Sequence, residues 1–296
     1  MRAFQRFLFR IPHSALRIWY KSMQETPEKR RHGVVALAVV LTLSMVWAGI
    51  ELLTAGELER YRVEDRRSGY TYLSEENQRL QDDDFANPGL LWVERGKELW
   101  RQADGALGMS CASCHGDAAE SMRGVRTRYP QFDPQHGKLI NLEQQINRCR
   151  QERMQATPYP YESEVLLALT TFVSMQSRGL PINVRIDGPA TPFFEAGKAF
   201  YFRRRGQLDL ACYHCHDRLA GQRLRGDVIS QGQSNGFPVY RHTWQTLGST
   251  HRLFAWCNVS VRAESYPYGS DEYVNLELFV AWRGRGLPVE APAVRR

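Results

Sequence analysis

Two short stretches decide the fold: Cys111-Ala112-Ser113-Cys114-His115 and Cys212-Tyr213-His214-Cys215-His216. Both have the frame C-x-x-C-H, which attaches a c-type haem. The spacing has a physical reason. Two cysteines one helical turn apart can form thioethers to the two vinyl groups of one porphyrin. The adjacent imidazole then meets the iron from the same side as its proximal ligand. A thioredoxin-like dithiol or half of a zinc site would use similar spacing. Neither explains the following histidine occurring twice in one chain. The frames therefore imply two covalently bound haem c groups, held by Cys111, Cys114 and His115 and by Cys212, Cys215 and His216.

The frames lie 101 residues apart, and the chain around them repeats. The same shift aligns Glu94 with Glu195, Gly96-Lys97 with Gly197-Lys198, Trp100 with Tyr201, Gly105 with Gly206 and Leu107 with Leu208. A shift of 107 aligns Tyr159-Pro160-Tyr161 with Tyr266-Pro267-Tyr268, Phe172-Val173 with Phe279-Val280, and Arg178-Gly179-Leu180-Pro181 with Arg285-Gly286-Leu287-Pro288. Each half thus reads as a helix, a haem frame, an irregular segment, a Tyr-Pro-Tyr loop and a helix stopped by Gly and Pro. Val165, Leu166, Leu169, Phe172 and Val173 fall at helical spacing, as do Val274, Leu276, Phe279 and Val280, which is the pattern of core-facing helices. The expected fold is mostly α, a tandem of two cytochrome c-like domains behind an N-terminal signal or anchor helix. The expected boundaries are 1–55 for the leader, 56–183 for the first domain and 184–296 for the second. The join falls in the Pro-rich stretch with Pro181, Pro189 and Pro192.

Two cysteines remain, Cys149 and Cys257, 108 residues apart and so at matching places in the repeat. A disulfide between them would need α-carbons within about 7 Å, which matching positions of tandem domains do not normally offer. The alternative is that each is the sixth ligand of its own haem. No Met follows His216, so the second haem can choose only among Cys257, His242 and His251. In the first half Met122, Met154, Met175 and His136 stand beside Cys149 as alternatives. The three lone histidines read more simply as surface or core residues. A thiolate ligand donates charge to iron and lowers its potential, which suits a site where sulfur itself reacts.

Composition agrees with a globular body: 43% hydrophobic and 24% charged. Eight basic and two acidic residues fall in residues 1–32, so +6 of the formal +7 sits there and the rest carries +1. A near-neutral body is a poor phosphate-binding face, and no nucleic acid is expected. Residues 33–50 carry no charge and are preceded by Lys29-Arg30-Arg31, a pattern that directs the downstream chain across a membrane. Cleavage after Val46-Trp47-Ala48, with Met23 as the true start, is the preferred reading; an uncleaved anchor at 33–50 is the other. Either places the body in the periplasm.

The sequence resembles the SoxA family, dihaem cytochrome c subunits of the SoxAX complex of sulfur oxidation. The resemblance covers nearly everything after residue 66. It is carried by Ser68-Gly69-Tyr70, by the run Gln81 to Gly89, by Leu91-Trp92-Val93, by Ser110 to Asp117, and by Ile146-Asn147-Arg148-Cys149-Arg150. It continues in Gly206-Gln207-Leu208, Ser230-Gln231-Gly232, Trp244 to Gly248, His251-Arg252, Val261 to Glu264, Leu276-Glu277-Leu278 and Val294-Arg295-Arg296.

The resemblance implies an L-cysteine S-thiosulfotransferase, which joins a sulfur species such as thiosulfate to a cysteine of the carrier SoxYZ with loss of two electrons, beside a SoxX cytochrome subunit. It implies iron ligation by His115 and Cys149 at haem 1 and by His216 and Cys257 at haem 2, with Cys257 as catalytic cysteine. Thiosulfate is a dianion, so guanidinium groups near Cys257 should position it. Arg252 is the candidate carried forward, with Arg241 and Arg262, and haem propionates would compete for the same groups. Here the chain departs from the pattern: Leu253 stands four residues before Cys257, where the resemblance leads one to expect an arginine. The competing functions are a dihaem electron-transfer cytochrome, with cysteines only as ligands, and a tetrathionate-forming thiosulfate dehydrogenase, which needs no carrier protein.

Overall fold

The structure is a computed structural model that describes residues 61–296. The leader, with its signal or anchor segment, lies outside the described residues. Among those described, no helix is long and apolar enough to cross a membrane.

The helices are α1 (Glu75–Asp82), α2 (Leu90–Arg101), α3 (Cys111–His115), α4 (Ala118–Ser121), α5 (Leu142–Met154), α6 (Glu164–Met175), α7 (Thr191–Phe202), α8 (Cys212–His216), α9 (Thr250–Ser260) and α10 (Asp271–Arg283). The repeat is visible in this order. α2, α3, α5 and α6 of the first half correspond to α7, α8, α9 and α10 of the second, so the mostly helical tandem cytochrome c expectation holds.

In each half the first and last helices cross closely, α2 on α6 and α7 on α10. Val93, Gly96, Leu99 and Trp100 form the buried stripe of α2. A Cβ on Gly96 would stand 2.2 Å from the Ala168 carbonyl oxygen, and one on Gly197 2.0 Å from that of Asn275. The aligned glycines therefore mark backbone-on-backbone crossings that any side chain would hold apart. The apolar positions read as core-facing are buried on α6 and α10, with Val165 half-buried.

The segments read as irregular contain short antiparallel hairpins, β1 (Gln131–Asp133) with β2 (Lys138–Ile140) and β3 (Val239–Arg241) with β4 (Thr246–Gly248). Each delivers the chain into the helix with the lone cysteine. β3 is also paired in parallel by β5 (Ala293–Arg295) at the end of the chain. A three-residue strand is too short for periodicity to show, and β5 pairs across more than fifty residues.

The halves are fused rather than strung together, and residues 61–296 fall in one compact unit. Ile182 donates its N–H to the Leu287 carbonyl and accepts that of Gly286, both at 2.9 Å. The Pro-rich connection is thus pinned to the matching turn of the second half. Before α2, Asn87 donates to the Pro292 carbonyl at 3.0 Å, and Gln81 accepts the Val294 N–H at 3.1 Å.

A buried polar network joins the halves at the starts of the two cysteine-bearing helices. Asn141, the N-cap of α5, donates Nδ2–H to Glu277 Oε2 at 3.1 Å and accepts from the Tyr161 hydroxyl at 2.9 Å. His251, in the first turn of α9, has Nε2 3.1 Å from the same Glu277 oxygen, and its Nδ1 accepts the Gly269 N–H at 3.0 Å. That acceptor role leaves its proton on Nε2, facing the carboxylate. The Tyr161 and His251 rings stack at 5.6 Å. Burial, and then the charge of Glu277, push Glu143 up to about 7, while His251 and its other partners hold Glu277 below the usual carboxylate range against its own burial.

A carboxyl raised from 4.5 to about 7 contributes stability below pH 4.5 that is lost as pH rises through 7. Wild-type stability measured by urea unfolding should therefore fall, relative to Glu143→Gln, between pH 5 and pH 8. Parallel curves for the two proteins would show that Glu143 titrates normally.

Candidate functional site

α3 begins at an N-cap that fixes the first frame. The Ser110 hydroxyl accepts the Ser113 N–H at 3.1 Å, and Ser113 Oγ returns an acceptor to the Ser110 N–H at 3.0 Å. In α8 the second contact is kept with different chemistry: the Ala211 N–H donates to His214 Nδ1 at 3.0 Å. His214 is thereby a capping residue rather than a ligand.

In the first half, Cys111, Cys114 and His115 line a cavity of about 300 Å³ together with Cys149 of α5. Its other walls are mainly apolar, including Val125, Leu142, Ile146 and Val173, with Arg128, Arg150 and Arg153 also lining it. Met122 and Met154 line it too; Met175 and His136 do not. His136 is taken up by Asp133 at 2.6 Å. Cys149 accepts from Gln145 Nε2 at 3.2 Å. Burial pushes the Cys111 thiol up, with Cys149 adding to the rise, and the Tyr129 phenol is pushed up to about 12 by the same two causes.

In the second half, too, the lone thiol acts on a frame thiol. Burial pushes the Cys212 thiol up to about 12, with the charge of Cys257 adding. Burial pushes Cys257 itself up to about 11, opposed by Arg241 and reinforced by Cys215. By surface area Cys257 is exposed. Part of the residue faces outward, while the protein around the sulfur sets its titration. His216 donates Nδ1–H to the Ser230 carbonyl at 2.8 Å, and burial lowers its pKa, so the ring is neutral with Nε2 free. Gly232 presses against that ring: a Cβ there would lie 2.7 Å from His216 Cγ. His115 is exposed and, among the described residues, makes no hydrogen bond.

No disulfide joins Cys149 to Cys257. His251 belongs to the buried network with Glu277, and the His242 ring lies edge-on to Tyr240 at 5.8 Å. Each half therefore brings two thiols and an imidazole together with a lone thiol, a donor set that fits haem c. The frame thiols would be consumed as thioethers to the haem vinyl groups, and on the iron the lone thiols would act as thiolates and the imidazoles as neutral rings.

The arginines are placed unequally. Arg252 donates Nη1–H to the Leu247 carbonyl at 3.2 Å, stands 3.9 Å from Glu162 and lies over the Trp244 ring at 4.6 Å. The guanidinium whose charge acts on Cys257 is that of Arg241. Arg262 lies just past the end of α9 with φ of 57°, and Leu253 packs against the cluster of Phe237, Val239 and Ala293. The supports that sequence reasoning missed are the Ser230 carbonyl and Gly232. They stand fourteen and sixteen residues beyond His216, and no periodicity points back to it.

Two C-x-x-C-H helices, each associated with a lone cysteine on a repeat-related helix, define a tandem c-type cytochrome with covalently attached haem. A family model described as SoxA/TsdA, cytochrome c domain, matches residues 95–182. The chain is 44% identical to the L-cysteine S-thiosulfotransferase subunit SoxA of Pseudaminobacter salicylatoxidans, over 80% of this chain and 84% of that one. It is 42% identical to the subunit of the same name from Rhodovulum sulfidophilum, over 79% and 82%. The crystal structure of SoxXA from P. pantotrophus matches with a TM-score of 0.76 at 42% identity, covering 78% of this chain and 87% of that chain. The chain belongs to the SoxA family.

Gly232→Ala tests the support of His216, because φ is +70° there and the added Cβ meets the ring. Overpacking of this kind costs about 1–3 kcal/mol. The expected result is a lower Tm and less haem on the Cys212–His216 peptide, with the Cys111–His115 peptide loaded normally, as read by peptide mass spectrometry. Wild-type loading of both peptides with unchanged Tm would contradict it.

Proposed function

We propose that this chain is the dihaem subunit of a SoxAX-type L-cysteine S-thiosulfotransferase and that Cys257 is the residue through which sulfur passes. The observation that carries the reading is the second site: a lone thiol on the helix that matches the Cys149 helix, next to Trp256, over whose ring the Arg241 guanidinium lies at 4.9 Å. The ligand pairs are His115 with Cys149 and His216 with Cys257. The substrates are thiosulfate and a cysteine of the carrier SoxYZ, and the electron-accepting partner is SoxX. The basic leader and the haem frames support a periplasmic location.

The reaction is an oxidative coupling. The Cys257 thiol and the sulfane sulfur of thiosulfate form one S–S bond, with loss of one proton and two electrons; the carrier thiolate then attacks the sulfane sulfur, and the Cys257 thiolate leaves and regains a proton. Haem c supplies one-electron acceptors for the electrons. The chain's own residues organise the event. The Ser230 carbonyl fixes the His216 tautomer so that Nε2 is presented. α9 carries Cys257 at a fixed place because its N-cap, Ser249, accepts the N–H groups of His251 and Arg252 at 3.1 and 3.3 Å.

The test is conjugation of thiosulfate to SoxYZ in the presence of SoxX and an electron acceptor. Cys257→Ala should abolish it, since no other lone thiol stands at that site. Cys149→Ala should change the first haem yet leave much of the activity, because electrons can leave from the second. Conjugation by Cys257→Ala at the wild-type rate would overturn the assignment and make the chain an electron-transfer cytochrome.

A further inference from the structure

Arg241 stands beside the helix that carries Cys257, its guanidinium over the ring of Trp256. It projects from β3, and its side chain is only 12% exposed. Yet among the described residues its guanidinium makes no hydrogen bond, and its Nε is buried without a partner. The nearest carboxylate, Asp227, is 3.8 Å away, beyond hydrogen-bond length, and is shared with Arg296 at 3.9 Å. Arg295, which also acts on Arg241, is already paired with Glu290 at 2.8 Å. A cation taken largely out of water with all five donors unspent is costly unless something anionic completes it.

The surroundings fix where that anion would sit. The Arg241 guanidinium carbon lies 5.3 Å from the Trp244 ring centroid and 4.9 Å from that of Trp256, and the two indoles meet edge to face at 6.2 Å. This clamp holds the planar fork in one orientation. Trp256 immediately precedes Cys257 on α9, so one helix sets both a wall of the clamp and the thiol. Of the other arginines near this helix, Arg252 is spent on Leu247 and Glu162, and Arg205 on Asn258 and the Glu264 carbonyl. On the helix itself, the position one turn before the thiol is Leu253, packed into an apolar cluster.

We propose that Arg241, clamped by Trp244 and Trp256, is an oxyanion-holding residue at Cys257, contributed by a strand in place of an arginine on the cysteine's own helix. Its planar fork takes two oxygens of one anion at once. Two sources share that chemistry: a free sulfur oxyanion such as thiosulfate, and a carboxylate of the haem at the same site. The proposal rests on Cys257 being the reacting sulfur.

The experiment compares holoprotein Arg241→Gln and Arg241→Lys with wild type. It measures KM and kcat for thiosulfate in the conjugation assay, and the reduction potential of the second haem by spectroscopic titration. Removing a charge-assisted bidentate pair by the Gln substitution should change its observable about tenfold or more. For the free anion, KM rises at least tenfold in Gln, kcat stays within about threefold, the potential is unchanged and Lys restores part of the affinity. For the haem carboxylate, the potential of the second haem shifts in Gln, while KM holds. Wild-type KM and potential in both variants overturn the proposal. Should Gln fail to load haem, Lys alone decides, since it keeps the charge and loses the fork. Failure here leaves Cys257→Ala inactive and the proposed function standing; an active Cys257→Ala removes the foundation of both.

Discussion

Glu277 is the point on which the two halves are hung. One buried carboxylate oxygen takes the amide of Asn141 and faces the Nε2 of His251, each at 3.1 Å. Those two residues begin α5 and α9. Each lone cysteine lies eight residues beyond the N-cap of its helix, Cys149 from Asn141 and Cys257 from Ser249. Both lone sulfurs are thus positioned from a shared origin through two stiff turns of helix. A buried charge shared this way is expensive alone and is offset here by the Asn141 amide and the facing His251 ring. The neighbouring Glu143, pushed up to about 7, meets the same constraint by keeping its proton.

Around that origin the repeat does the rest. Bare backbone crossings at Gly96 and Gly197 bring the first and last helices of each half together, and the frame helices and lone cysteines are placed relative to those pairs. Matching scaffolds do not give matching sites. His216 is fixed by the Ser230 carbonyl and crowded by Gly232, while His115 is exposed and makes no hydrogen bond among the described residues. Arginines line the first cavity in number, whereas a single clamped guanidinium acts on Cys257. The second site is the more strictly positioned of the two, which suits chemistry at sulfur.

Much of this was legible in the chain. The C-x-x-C-H frames, the paired glycines, the apolar stripes and the matching places of Cys149 and Cys257 all obey local spacings that a sequence displays. The features that escaped depend on distance along the chain. β5 pairs with β3 from the far end, and Gln81 and Asn87 reach forward to Val294 and Pro292. His251 and Glu277 look like unrelated residues until the fold brings Asn141 between them. The arginines mislead for a related reason. Arg252, five residues before Cys257 on the same helix, is drawn to Glu162 and Leu247. Arg241, sixteen residues before it, is the one that acts on the sulfur.

The central claim is two repeat-related haem sites, of which only the second reacts. Mass spectrometry of the native purified chain tests this most directly. After acid denaturation the intact protein should retain the mass of two haem groups, because thioethers survive acid, and peptide mapping after exposure to thiosulfate should find added sulfur on Cys257 and none on Cys149. A chain carrying one haem, or added sulfur on Cys149 with Cys257 unmodified, would contradict it.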